Sequence, residues 1–194
     1  MSLATTPSVR DAARGGKYLT FFLGEEEYGV AVLKVQEIIG LQAITRVPRA
    51  PVFVRGVINL RGKVVPVVDL RERFGLPPAD VGACADARQV ARAEALRCIV
   101  VVQVALGARE AAGAGVANTA AWTPMGIVVD RVSEVAAVDD ACVEDAPSFG
   151  AAVRTDFLLG LATGGPRVRM LLDIDRVLAP DEAEEVDGLA RAGA

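Results

Sequence analysis

Apolar and polar residues alternate over many short runs of this chain, a pattern typical of β-strands that bury one face. Leu19, Phe21 and Leu23 form the first such series, and the acidic stretch after it predicts a turn. Residues 32–35 are compatible with one helical turn, and residues 36–40 predict a further strand. Because many short strands with Gly and Pro at the turns are typical of small barrels, the pattern predicts a mainly β fold with short helices.

A tight hairpin is the clearest local signal. Two β-rich runs, residues 56–60 and 63–68, are joined by Arg61 and Gly62. Glycine takes a positive φ without steric cost, so it suits a two-residue turn between antiparallel strands. We expect Pro66 to lie at an edge or a bulge of its strand, because proline has no backbone N–H to donate within a sheet.

A hairpin followed by an aspartate-capped short helix occurs twice, at residues 56–75 and again at residues 158–179. In the first copy, Asp69 and Glu72 have the spacing of a capping box. The identity between the two segments is too low for a repeat array, but their similar order suggests two halves of similar fold. Two small barrels that share a core would fit the length of 194 residues.

Composition along the chain predicts the boundaries of these parts. Residues 1–16 lack periodicity and predict a flexible N-terminal tail, and residues 17–180 form the predicted double-barrel domain. Within that domain, residues 76–96 are predicted to connect the two halves. The Ala/Gly-rich residues 108–121 are predicted to be a loop inserted in a hairpin. Residues 181–194 predict an acidic C-terminal helix or tail.

The overall composition narrows the classes of function. Hydrophobic residues make up 52% of the chain and charged residues 24%, which permits a packed core. The net charge of −4 argues against nucleic-acid binding, which requires clustered Lys and Arg to neutralise phosphates. The N-terminal residues lack a signal-peptide pattern, and the apolar runs are far too short to span a bilayer. We therefore expect a cytoplasmic protein without direct membrane insertion.

The sequence contains no histidine, which removes the commonest general base and the commonest metal ligand. None of its four serines lies in a GxSxG motif, and its three cysteines lack a CxxC spacing. Residues 56–63 resemble a phosphate-binding loop only superficially, since Val64 stands where Ser or Thr should bind Mg²⁺. We expect no catalytic residues, no bound metal and no cofactor.

Several segments in a consistent order resemble the CheW family of chemotaxis coupling proteins. The most specific of them is the hairpin Gly56-Val57-Ile58-Asn59-Leu60-Arg61-Gly62. The remaining segments are weak individually, and the match extends over roughly residues 17–180: Tyr28-Gly29-Val30, Val35-Gln36-Glu37-Ile38, Thr45-Arg46-Val47-Pro48, Val65-Pro66-Val67-Val68-Asp69-Leu70-Arg71, Gly126-Ile127-Val128-Val129-Asp130 and Asp173-Ile174.

The resemblance implies two five-stranded, SH3-like β-barrels packed together with a hydrophobic groove between them. It also implies a non-enzymatic adaptor with two protein partners. One is the cytoplasmic hairpin tip of methyl-accepting chemotaxis receptors, and the other is the regulatory domain of the histidine kinase CheA. Such an adaptor would lie in receptor arrays on the inner face of the membrane.

The resemblance also assigns site residues. Glu37 and Arg61 match a charged pair near the groove, and Cys98 and Ile99 match positions of kinase contact. A solvated surface charge is the alternative for Arg61, because exposed ion pairs contribute little. The groove-lining positions are equally suited to the core of a barrel. They are Leu19, Val32, Val35, Ile38 and Val132.

Three alternatives to this adaptor stay open. The chain could be the detached regulatory domain of a kinase, or a CheW-like scaffold of a chemosensory pathway that does not control motility. We expect the short acidic segment after residue 180 to leave no room for a receiver or ATPase domain, which favours the adaptor. A carboxylate-dependent hydrolase would need two facing acids in a deep pocket, and the sequence does not concentrate them.

Overall fold

The computed structural model describes residues 14–77, 95–105, 122–147, 155–165 and 167–179. These residues form eleven strands in two sheets, together with a few short helical turns. Residues 1–13 of the predicted tail, the 108–121 insert, most of the 76–96 connector and the 181–194 tail lie outside the described residues. Arg14 and Gly15 donate backbone hydrogen bonds to Asp140, and the first strand already begins at Gly16.

The first sheet has six strands, and one of its pairings is parallel. In spatial order the strands are β8 (Arg131–Val138), β1 (Gly16–Leu23), β2 (Glu26–Ala31), β11 (Arg169–Leu172), β10 (Leu158–Ala162) and β9 (Val143–Glu144). The parallel pair is β2 with β11.

The second sheet has five strands in an equivalent arrangement. Its order is β3 (Val35–Gly40), β6 (Cys98–Ala105), β7 (Trp122–Val129), β5 (Lys63–Asp69) and β4 (Val54–Leu60). Again one pairing, β5 with β7, is parallel. Strand β5 as a whole lies between β4 and β7, but Pro66 itself is paired only with Val57 of β4, so it occupies a local edge. Pro66 is tolerated because the pairing with β7 begins only at the next residue, Val67.

Both sheets close on themselves, as small barrels do. Beyond β3, Thr45 exchanges backbone hydrogen bonds of 2.9 and 2.8 Å with Val57 on the free edge of β4. Only glycine permits this approach at Gly56, where a Cβ atom would lie 2.1 Å from the Thr45 carbonyl oxygen. In the first sheet, β8 continues through the 3₁₀ turn Asp140–Cys142 into β9, which pairs with β10. The short β9 raises its strand count from the expected five to six.

The predicted internal similarity is confirmed. Helix α1 (Leu70–Arg73) follows β5, and helix α2 (Ile174–Val177) follows β11. Asp69 caps the first by accepting a hydrogen bond from Arg71 N, and Asp173 caps the second by accepting from two backbone amides. The two sheets also share the same strand order, the same parallel pair and bulges at equivalent positions of β4 and β10.

The two halves of the chain exchange hairpins. The hairpin β1–β2 comes from the first half but belongs to the six-stranded barrel, whose other strands come from the second half. The hairpin β6–β7 comes from the second half and completes the five-stranded barrel of β3, β4 and β5. Each barrel therefore depends on both halves of the chain.

Three buried clusters follow from this arrangement. One lies inside the five-stranded barrel and includes Ile99 and Val101, and a second lies inside the six-stranded barrel around Tyr18 and Leu171. The largest lies between the barrels, and we call it the central core. Its buried residues include Leu19, Phe21, Val30, Val100, Val102, Ile127, Val129 and Leu172.

A buried group of charges also connects the barrels. Asp69, at the end of β5, accepts a hydrogen bond of 3.1 Å from Arg97. Asp130, between β7 and β8, pairs with Arg71 of α1 and accepts a hydrogen bond of 2.7 Å from the backbone N of Gly24 in the β1–β2 turn. Asp130 is the member that links the two barrels, since its partners Arg71 and Gly24 belong to different sheets.

Candidate partner-binding surface

The β4–β5 turn presents Arg61 to solvent. Arg61 and Gly62 have φ values of 53° and 83°, and the Asn59 side chain accepts a 2.8 Å hydrogen bond from Gly62 N. Two consecutive positive φ angles give a turn whose twist matches that of the flanking strands. The predicted hairpin is confirmed, and its tightness holds the Arg61 side chain at the rim of the barrel.

Glu37 and Arg61 are brought together, as the resemblance implied. Arg61 Nη2 lies 3.0 Å from Glu37 Oε2, although the residues are 24 positions apart. The Glu37 side chain is 19% exposed, whereas that of Arg61 is 82% exposed. Such an exposed ion pair contributes about 0–1 kcal/mol to stability. The pair therefore orients Arg61 more than it stabilises the fold, and most of the Arg61 side chain remains exposed.

The other face of β3 carries aliphatic side chains at the margin of the central core. Val35 packs partly buried against the central core, as does Val32 in the 3₁₀ turn Val32–Lys34 that precedes the strand. Ile38 is 46% exposed. Its strand partner is Val100, a residue of the central core, so Ile38 extends that core to the surface.

Strand β8 presents a second aliphatic set. Val132 packs partly buried against the central core, opposite Phe21. Val135 lies opposite Leu19 and is 55% exposed. Val135 was not among the predicted groove-lining positions, although it follows a glutamate just as Ile38 follows Glu37. We call the four residues Val35, Ile38, Val132 and Val135 the β3–β8 surface.

Leu19 differs from the other predicted groove residues because it is almost completely buried in the central core. It pairs with Val30 on one side and with Val135 on the other. Its side chain therefore packs beneath the β3–β8 surface and is not part of the exposed set.

Cys98 and Ile99 occupy the start of β6. Ile99 is completely buried inside the five-stranded barrel, and Cys98 packs partly buried against the central core. Burial raises the pKa of the Cys98 thiol, and a hydrogen bond from the Val132 backbone opposes that effect. Because Cys98 also pairs with Gly40, the end of β3 and the start of β8 meet at this residue.

A second exposed patch lies next to β3, and none of its residues was predicted to be part of a binding site. Leu33 is almost fully exposed, and Lys34 Nζ lies 4.2 Å from the centre of the exposed Trp122 ring. Lys34 also pairs with Asp175 at 2.5 Å. Trp122 follows the segment outside the described residues, so its position could not be predicted from local pattern.

Within the described residues, no group of three or more Cys, Asp or Glu side chains is arranged to hold a metal ion. Among those same residues, no helix has the length and apolar character to cross a membrane.

Comparison with known proteins agrees with the geometry. The family model described as the CheW-like domain matches residues 17–182. A chemotaxis protein CheW from Klebsiella aerogenes is 35% identical over 190 residues, which cover 98% of this chain and 98% of that protein. A second, from Treponema pallidum, is 27% identical over 171 residues, which cover 88% of this chain and 86% of that protein.

The fold agrees as well. The crystal structure of the scaffolding protein CheW from Thermoanaerobacter tengcongensis matches with a TM-score of 0.62 at 29% identity. The match covers 84% of this chain and 92% of that chain. The predicted mainly β fold of two small units with short helices is therefore confirmed.

Proposed function

Because this chain belongs to the CheW family of chemotaxis scaffold proteins, which are non-catalytic adaptors, we propose that it joins chemoreceptors to the kinase CheA by binding both. The receptor would bind through its cytoplasmic hairpin tip and the kinase through its regulatory domain. The complex would lie in receptor arrays at the inner face of the membrane.

The observation that carries this proposal is the β3–β8 surface with its charged rim. Two strands from different barrels place aliphatic side chains at the margin of one core, and Arg61, which pairs with Glu37 of β3, keeps most of its side chain exposed. An exposed apolar strip with a polar rim is the usual form of a protein interaction site. We propose that a receptor helix lies along this strip, over Val35, Ile38 and Val132, with Val32 at one end.

The expected affinity follows from the size of this strip. Burying one aliphatic side chain is favourable by about 1.5–3 kcal/mol, and the cost of association offsets much of the sum. Moderate affinity suits an adaptor that holds two partners at once. The receptor signal would reach the kinase as a coupling free energy of roughly 1–3 kcal/mol.

For the kinase side, we propose a contact near the start of β6. Cys98 is the partly buried residue there, and Ile99 would support the contact from inside the barrel. Leu19 would act in the same indirect way beneath the receptor strip.

The test is a charge-exchange cycle at Glu37 and Arg61, read by titration of a purified receptor fragment that contains the hairpin tip. Either single reversal, Glu37→Arg or Arg61→Glu, should weaken binding about tenfold, because it places like charges together at the rim. The double exchange should recover only part of the loss, because it restores the ion pair but leaves an anion where Arg61 exposes its cation. Receptor-stimulated activity of CheA should follow the same order.

Ile38→Asp supplies an independent test of the apolar strip, with Val64→Asp as the matched control. Val64 is also an exposed aliphatic residue of the same barrel, on β5. Ile38→Asp should abolish measurable binding while Val64→Asp does not. If the receptor fragment binds the Ile38 and Glu37 variants as tightly as the wild type, the proposed site is wrong.

A further inference from the structure

The two strands of the β3–β8 surface carry the same residue pattern. Residues 35–38 read Val-Gln-Glu-Ile and residues 132–135 read Val-Ser-Glu-Val. In β3, a bulge lies between Val35 and Glu37, where the strand pairs with β6. In β8, a bulge lies at the equivalent place, between Val132 and Val135, where the strand pairs with β1. Glu134 is therefore the structural equivalent of Glu37.

Glu134 also has an arginine partner. Arg169 Nη2 lies 3.1 Å from Glu134 Oε1, and the same guanidinium lies 3.2 Å from the buried Glu27. Arg169 belongs to the hairpin β10–β11 of the six-stranded barrel, which is equivalent to the hairpin β4–β5 that carries Arg61. Two equivalent ion pairs therefore accompany the two aliphatic sets.

The two pairs expose opposite charges. In the β3 pair the cation is outward, since Arg61 is far more exposed than Glu37. In the β8 pair the anion is outward, with the side chain of Glu134 59% exposed and that of Arg169 19% exposed. Arg169 is held inward because it is shared with Glu27.

From this we infer that Glu134 is a specificity residue of the β3–β8 surface, which presents positive charge beside β3 and negative charge beside β8. The partner that fits is a helical segment with an acidic side chain toward Arg61 and a basic side chain toward Glu134. The opposite charges break the approximate symmetry of the two strands, so they fix the direction in which the helix lies. This inference rests on the proposed receptor-binding function.

The experiment compares Glu134→Lys with Glu72→Lys by titration of the same receptor hairpin fragment at low and physiological salt. Glu72 is an exposed carboxylate of α1, so its variant has the same change in net charge away from β3 and β8. Glu134→Lys should weaken binding by about 3- to 10-fold, with a smaller loss at higher salt, and Glu72→Lys should leave it unchanged. Glu134→Gln removes the charge without repelling Arg169 and should give a smaller loss in the same direction.

The outcomes separate this inference from the function on which it rests. Equal affinity of the wild type and both Glu134 variants, with weakened binding of Glu37→Arg, would overturn the role of Glu134 alone. Equal losses for Glu134→Lys and Glu72→Lys would also overturn it, because net charge would then explain both. If the Glu37, Ile38 and Glu134 variants all bind normally, the proposed receptor site itself is refuted. Thermal denaturation of each variant shows whether it is folded.

Discussion

At the scale of single residues, the environment of a side chain decides its role more than its type does. Ile38 and Ile99 lie in neighbouring strands, yet one reaches solvent and the other fills the inside of a barrel. Alternation along a strand indicates that two faces differ, but it does not indicate which face meets another protein. The exposure of Ile38 and the burial of Leu19 therefore required the structure. The turn at Arg61 and Gly62 could be predicted, because it depends on local backbone preference.

Gly56 is the residue at which the closure of a barrel tolerates least change. Gly56→Ala should destabilise the protein by about 3 kcal/mol or more, because the new Cβ would meet the Thr45 carbonyl in a backbone conformation that disfavours side chains. Gly40→Ala, where a Cβ meets nothing within 4 Å, should cost far less. Urea denaturation of both variants measures the difference, and equal stabilities would contradict the close approach.

Cys98 should react slowly with alkylating reagents in the folded protein. Its pKa is raised by burial, so at pH 7–8 it holds less of the reactive thiolate than a free cysteine does. Iodoacetamide labelling followed by peptide mass spectrometry should show slow modification of Cys98 in buffer and rapid modification in denaturant. Similar rates in the two conditions would mean that the thiol is open to solvent.

At the scale of elements, the two aspartate-capped helices show how equivalent parts come to differ. Asp173 caps α2 from a partly exposed position, whereas Asp69 caps α1 while it is buried and paired with Arg55 and Arg97. The cap at Asp69 could be predicted from its spacing to Glu72, and the cap at Asp173 from the repeated order of hairpin, aspartate and short helix. The sequence did not reveal the arginines around Asp69, because Arg55 and Arg97 come from distant parts of the chain.

Alanine substitution of the two caps should therefore have unequal effects. Asp173→Ala should cost about 0.5–2 kcal/mol, the usual loss of a helix cap. Asp69→Ala should cost more, about 3 kcal/mol, because it also removes the buried carboxylate that pairs with Arg55 and with the mostly covered Arg97. Chemical denaturation of the two variants gives both values, and a smaller loss for Asp69→Ala than for Asp173→Ala would show that the buried pairs add nothing.

At the scale of the whole molecule, the exchange of hairpins is the dominant feature. The twofold occurrence of hairpin, cap and helix suggested two similar halves, but the natural expectation was one barrel from each half. Parallel pairings of β2 with β11 and of β5 with β7 join strands that are far apart in sequence. Local pattern carries no information about such pairings, so the exchange could not be predicted.

A chain cut within residues 78–94 should therefore yield two fragments that fold only together. Each fragment alone lacks a hairpin that its barrel needs. An equimolar mixture should recover cooperative unfolding by circular dichroism, while each separate fragment should show none. Cooperative folding of the N-terminal fragment alone would rule out this interdependence.

The same exchange bears on how the protein emerges from the ribosome. The barrel built from β3, β4 and β5 cannot close until β7 has been made, although its first strands leave the ribosome much earlier. During that interval the apolar faces of these strands stay exposed, because the strands that bury them have not yet emerged. Exposed apolar strands of a nascent chain are prone to aggregate. A pause before Val129 has left the ribosome would prolong this exposure, whereas a later pause would find one barrel already able to form.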